Sequence, residues 1–182
     1  MPSIQWRRLD LPGTDDASLE ARPGGYVLRG HARFQDTTGL ADLHYEVQMD
    51  GRWHTRSASI HGSQGVLPFA LSVRASGTGD WWVNGAPCPA VVGCIDFDLA
   101  FTPATNLLSM RRLALPVGQQ AEVSAAWLEY PEQSLKPLLQ IYHHRHQGTY
   151  QYDCPEIDFH STLEVRADGF VVAYPPLWEP LR

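Results

Sequence analysis

Leu43-His44-Tyr45-Glu46-Val47-Gln48-Met49-Asp50-Gly51 is the stretch whose pattern decides the fold. Leu43, Tyr45, Val47 and Met49 alternate with His44, Glu46, Gln48 and Asp50. That period of two belongs to a strand with one buried face. Asp50-Gly51 then offers residues that tolerate positive φ, and residues 52–61 run out again, so a hairpin with a two-residue type I′ turn is expected. Asp168-Gly169 repeats the device between Leu163-Glu164-Val165-Arg166 and residues 170–174. Asn84-Gly85 marks a third tight turn after Trp81-Trp82-Val83.

Working outward, residues 26–34, 67–75, 91–97, 135–144, 149–153 and 159–166 read as further strands at the spacing of an all-β domain. Residues 121–130 have fair helical propensity but are read as strand, and residues 103–108 have room for a single helical turn. No linker or break in composition divides residues 1–182, so one domain is expected. Tyr45-x-Val47-x-x-Asp50-Gly51 is echoed by Leu163-x-Val165-x-x-Asp168-Gly169. The echo is read either as two ordinary Asp-Gly hairpins or as the trace of a duplicated β-meander.

Composition agrees. The chain has 182 residues, 43% hydrophobic and 19% charged, which excludes a disordered tail. Gly 15 and Pro 14 together exceed the usual share of roughly 12%, as frequent turns require. A net charge of −6 argues against a nucleic-acid or anionic-membrane surface. Residues 1–8 carry no secretory signal and no stretch approaches a transmembrane span, so a soluble cytoplasmic protein is expected. Cys88, Cys94 and Cys154 contain no C-x-x-C pair and are read as reduced, mostly buried thiols.

The densest polar cluster is Asp96-Phe97-Asp98, followed by Thr102-Pro103-Ala104-Thr105-Asn106 and Arg111-Arg112. In a strand Asp96 and Asp98 share a face, and desolvated carboxylates need counter-charges. Arg111 and Arg112 are the obvious ones, with a fork geometry that suits a carboxylate. Asn106 is expected to close the loop through a side-chain to backbone bond. His144 and His146 share a strand face but lack a carboxylate or cysteine at ligand spacing, and the other histidines fall on polar faces without pattern. No metal and no cofactor are therefore expected, and no nucleophile motif is present. The aromatics are the remaining resource: adjacent Trp81 and Trp82 must face opposite sides of a sheet.

Trp81-Trp82-Val83-Asn84-Gly85, Gly93-Cys94-Ile95-Asp96-Phe97-Asp98-Leu99, Thr102-Pro103-Ala104-Thr105-Asn106 and Arg111-Arg112-Leu113 together resemble a bacterial family named putative glycolipid-binding. Tyr150-x-Tyr152 and Asp168-Gly169-x-Val171-x-x-Tyr174-Pro175-x-Leu177-Trp178 resemble its C-terminal signature. Where the family pattern continues T-N-T-L-P-I, this chain reads Thr105-Asn106-Leu107-Leu108-Ser109-Met110, without the proline. The resemblance implies a long antiparallel sheet rolled into a spiral β-roll or incomplete barrel, similar in outline to carrier domains that hold acyl chains in a concave cavity. A concave mouth is a natural apolar site. The reading is thus a non-enzymatic β-roll that binds a glycolipid or other amphipathic small molecule. Trp53, Trp81, Trp82, Tyr142 and Tyr174 would give apolar contact, and Asp96, Asp98, Asn106, Arg111 and Arg112 would hold the polar head or the roll itself. Two rivals stand beside it. One is a hydrolase or isomerase using Asp96 or Asp98; the other is an interaction module, with a homodimer formed through an exposed sheet edge.

Overall fold

The computed structural model describes residues 1–181 and is built almost wholly of strands. These are β1 (Ser3–Arg8), β2 (Gly13–Arg22), β3 (Gly25–Asp36), β4 (Gly39–Asp50), β5 (Thr55–Gln64), β6 (Leu67–Ala75), β7 (Trp81–Val83) and β8 (Ala86–Pro87). Then follow β9 (Phe97–Leu99), the α-helix α1 (Asn106–Leu113), β10 (Gln120–Leu128), β11 (Leu135–His146), β12 (Thr149–Cys154), β13 (Phe159–Val165), β14 (Val171–Ala173) and β15 (Trp178–Pro180). Nine strands form a large antiparallel sheet in the order β15-β1-β2-β3-β4-β5-β6-β7-β8. Six form a curled second sheet, β14-β13-β12-β11-β10-β9, in which β9 and β10 run parallel. This is the all-β architecture that the alternation predicted and the roll that the resemblance implied, and among the described residues no helix is long and apolar enough to cross a membrane.

The period-two pattern sets the faces. Leu43, Tyr45, Val47 and Met49 are buried, while His44 and Gln48 lie on the outer face. Of residues 121–130, read as strand, 121–128 lie in β10 and 129–130 lie beyond its end. The two sheets are stitched at both ends of the roll. At one end the indole of Trp6 in β1 donates to the Val171 carbonyl of β14 at 2.7 Å, and a Tyr174–Trp178 bridge joins β14 to β15. At the other, the Thr55 amide donates to the Ile95 carbonyl, and the Thr55 hydroxyl accepts from the Phe97 amide at 3.1 Å.

The turns correct the simple hairpin reading. Only Asn84-Gly85 is a two-residue turn with positive φ at both positions, 49° and 83°. After Asp50 the loop is residues 51–54, and its left-handed residue is Trp53 at φ 67° rather than Gly51. The Asp50 carboxylate accepts from the Arg52 and His54 amides at 2.8 and 3.0 Å, so a longer turn satisfies its own backbone. At Asp168-Gly169 the turn spans residues 166–169, only Gly169 is left-handed, and the pairing register shifts beside it. Both loops thus pair a wider turn with a bulge. The two hairpins also occupy unlike places: β4 and β5 are long and central, whereas β14 has three residues and ends its sheet.

Two other expectations give way. Residues 91–97 are not one strand; Pro89–Val91 is a 3₁₀ turn, Gly93 is left-handed at φ 93°, and only Phe97–Leu99 pairs. Residues 103–108 hold more than one turn, since the proline-free run Leu107–Met110 lets α1 continue to Leu113. Ala114, left-handed at φ 44°, ends it by donating its amide to the Met110 carbonyl.

Inside the roll lies one unexpected carboxyl. Asp15 of β2 is 1% exposed and receives hydrogen bonds from the hydroxyls of Tyr45 in β4, at 3.0 Å, and of Thr102. Thr102 in turn accepts from the Ala104 amide at 3.0 Å, so the large sheet is tied to the segment leading into α1. The Tyr45 ring lies over Gly30, where an added Cβ would sit 2.2 Å from Tyr45 Cζ; any side chain there displaces the ring. Burial raises the Asp15 carboxyl from 3.8 to about 7 against the opposing hydroxyl bonds. A raised carboxyl favours the protonated folded state, so its stabilisation is present below pH 3.8 and is lost as pH rises through about 7. Asp15→Asn should therefore flatten the pH dependence of unfolding free energy over that window, by up to roughly 4 kcal/mol. Urea titrations of both proteins across the window measure it; parallel curves would show that Asp15 is ionised throughout.

Candidate ligand-binding site

The six-stranded sheet curls so that one face of every strand looks inward. Register places Asp98 opposite Trp127, Leu138 opposite Ala125, and Gln140 opposite Val123. On the next strands Tyr142 faces Tyr152, and Cys154 faces Phe159. The concavity is not empty: α1 lies in it, with the Asn106 amide donating to the Tyr142 hydroxyl at 3.0 Å. The helix leaves a separate cavity at each end.

At the N-terminal end of α1 is a cavity of about 100 Å³ with aromatic walls of Trp127, Tyr152, Phe159, Tyr174 and Trp178. Asp98, Asn106 and Thr102 form its polar side, and Leu177 with the exposed Ile157 forms its rim. A directed chain of hydrogen bonds runs behind it. Asn106 donates to Tyr142, Tyr142 to Gln140 Oε1 at 3.1 Å, and Gln140 to Asp98 Oδ2 at 2.7 Å. From the other side the Thr105 hydroxyl donates to Asp98 Oδ1 at 2.6 Å. Thr105 precedes the helix but turns its hydroxyl to Asp98 instead of capping α1. Burial raises the pKa of the half-buried Asp98 carboxyl, while the Thr105 and Gln140 bonds oppose the rise. The chain fixes one carboxyl at the edge of an aromatic slot, where the Thr105 hydroxyl, the Gln140 amide and the Leu99 backbone amide together leave it acceptor capacity for a further hydroxyl donor.

The second cavity, about 680 Å³, opens at the C-terminal end of α1 between Met110, Arg111, Leu115, His144, Tyr150 and Arg166. Its chemistry is cationic and aromatic rather than acidic.

The ten residues singled out in the sequence divide by position. Asp98, Asn106 and Tyr174 line the aromatic cavity, and Tyr142 is buried directly behind it. Asp96 is 1% exposed and is gripped by both nitrogens of the Arg112 fork at 2.8 and 2.7 Å, a structural ion pair. Arg111 is no counter-charge to Asp98: it donates to the Ala167 carbonyl at 3.1 Å and borders the other cavity. A helix spaces consecutive residues about 100° apart, so adjacent arginines cannot both face the aspartates. Asn106 serves Tyr142 rather than a backbone group. Trp53 stacks on Tyr26 with ring centres 3.9 Å apart, away from the cavity. Trp81 is core, donating its indole N–H to the Cys94 carbonyl at 2.9 Å. Its neighbour Trp82 lies on the opposite face beneath Arg74, as the alternation required. Cys94 and Cys154 are buried, Cys88 is half-buried, and all three are free thiols.

Sequence reading did not select Trp127, Tyr152, Phe159, Trp178, Gln140 or Thr105. The spacing Tyr150-x-Tyr152-x-Cys154 announces a shared face, but which face is concave depends on how the sheet curls.

Arg112→Ala should leave Asp96 buried without its partner and destabilise the protein by about 3–5 kcal/mol. Arg111→Ala, which breaks no ion pair, should cost less than about 1 kcal/mol. Equilibrium denaturation of the two variants measures the difference, and equal losses would contradict the assignment of Arg112 as the sole clamp.

Known proteins place this architecture. The crystal structure of a DUF1089 family protein from Pseudomonas aeruginosa is similar over 100% of this chain and 94% of that one, with a TM-score of 0.82 and 30% sequence identity. No curated protein matches the chain significantly. The model of the family described as "Putative glycolipid-binding" matches residues 3–180, end to end with the roll described above. The chain therefore belongs to the putative glycolipid-binding family.

Proposed function

We propose that this protein binds a glycolipid or a related sugar-bearing amphiphile at the aromatic cavity between Asp98 and Phe159, without transforming it. One observation carries the reading: a hydrogen-bonded carboxyl stands at the polar side of a slot walled by five aromatic rings. Aromatic side chains offer apolar faces to a sugar ring, and the Asp98 oxygens accept from its hydroxyls. The cavity suits the edge of one ring. An attached acyl chain would run over the rim, where Ile157 is 48% exposed.

The same geometry gives less support to the rivals. Glycoside hydrolysis by the common route needs two carboxyl groups across the bond. Among the described residues Asp98 is the one carboxylate lining this cavity, and Asp96 is held by Arg112. Strand-paired association finds short edges: β8 has two residues ending in Pro87, and β9, β14 and β15 have three each.

Octyl glucoside, titrated below its micellar concentration, tests the proposal through the fluorescence of Trp127 and Trp178. A saturable change is expected, with octanol giving none. Phe159→Ala, at the partly exposed rim, should weaken the response by about tenfold. An equal response to octanol, or an unchanged response in the variant, would sink the sugar-binding reading.

A further inference from the structure

The outer face of the large sheet carries a row of side chains that the cavity does not use. Strand pairing sets His31 of β3 opposite His44 of β4, and His44 opposite His61 of β5. The imidazoles stack as a ladder, His31 on His44 with centres 4.0 Å apart and His44 on His61 at 5.3 Å. Asp16 of β2 is the next residue in the same row. Asp42, two residues before His44 and on its face, places Oδ1 2.8 Å from His31 Nε2. Its other oxygen is engaged by Arg33 Nε at 3.2 Å. His31 and His44 border an open cavity of about 810 Å³ that also exposes Asp16 and Gln5.

We infer that His31, Asp42 and His44 form a binding site for a divalent first-row transition metal such as Zn²⁺. One ligating atom from each of the three lies within 4.8 Å of the other two. Two imidazoles and one carboxylate suit ions of intermediate softness and leave coordination positions for water or a further ligand. Bonds of ~2.1 Å in a tetrahedral site need ligand atoms ~3.4 Å apart. The ion therefore takes the place of the proton between His31 and Asp42, and that pair opens by about 0.6 Å. The His31 and His44 rings stack with nearly parallel planes, so His44 must also turn out of the stack to aim a ring nitrogen at the ion; its side chain is exposed and turns by rotation above a backbone held in the continuous ladder from β2 to β6. The Arg33 contact holds the carboxylate in place, as groups behind a metal ligand commonly do. The residues come from two strands and share no sequence motif, so only pairing register assembles them.

Isothermal titration of the metal-free protein with Zn²⁺ should show one ion bound per chain, and Co²⁺ should bring visible d–d absorption. His44→Ala and Asp42→Asn should weaken uptake by about tenfold or more. His146→Ala, in the other histidine-rich segment, should bind as the parent does. His44 is exposed, so thermal unfolding of His44→Ala without metal should match the parent, separating lost ligation from lost folding. Zn²⁺ should raise the unfolding temperature of the parent but not of His44→Ala. Absence of uptake by the parent would overturn the site. So would parental affinity in His44→Ala, or loss confined to His146→Ala.

Discussion

Burying the Asp15 carboxyl against the hydroxyls of Tyr45 and Thr102 commits the two sheets to one arrangement. A polar group out of contact with water must find partners, and here they come from β4 and from the segment ahead of α1. Neither apolar packing nor strand pairing would by itself fix the entry to the helix. The bonds at Asp15 fix it, and Tyr45 can reach the carboxyl because Gly30 leaves room for its ring. At the far end of α1, Arg112 grips Asp96. A helix of eight residues has little stability alone, so its position is owed to these two polar anchors and to the buried Leu107 and Leu108.

The anchored helix explains why the concave face does not present one large basin. A rolled sheet alone suggests an open apolar trough. With α1 seated on Tyr142, the trough becomes two cavities of opposite character, one aromatic with a carboxyl and one bordered by two arginines. The chain from Asn106 through Tyr142 and Gln140 to Asp98 does double duty. It satisfies polar groups under the helix, and it orients the carboxyl that the aromatic cavity exposes. In the proposed reading stability and recognition share the atoms of Asp98 and Asn106, whereas Asp96 serves the fold through Arg112.

Much of the fold was legible because a half-buried strand records its environment at every second residue. The run from Leu43 to Met49 points inward residue by residue as read, and the opposite placement of Trp81 and Trp82 follows from the same rule. Turn chemistry was less transparent. Asp50-Gly51 and Asn84-Gly85 look alike in sequence, yet only the latter is a two-residue turn. An aspartate that accepts from amides two and four residues on can stabilise a longer loop equally well. The charge pairing was half legible: that Asp96 needs an arginine follows from desolvation, but which of two adjacent arginines faces it depends on the phase of a helix.

The sequence by itself determined the strand periodicity, the positions of the main reversals and the need for buried counter-charges. These are local properties, imposed by backbone geometry and by the cost of desolvating charge. Tertiary structure alone decided which aromatics share a cavity, that Gln140 and Thr105 rather than an arginine attend Asp98, and that His31, His44 and His61 stand in one row. Each of those depends on register and curl, which bring residues far apart in the chain to adjacent strands. Periodicity specifies which face a side chain occupies, and register specifies its neighbours.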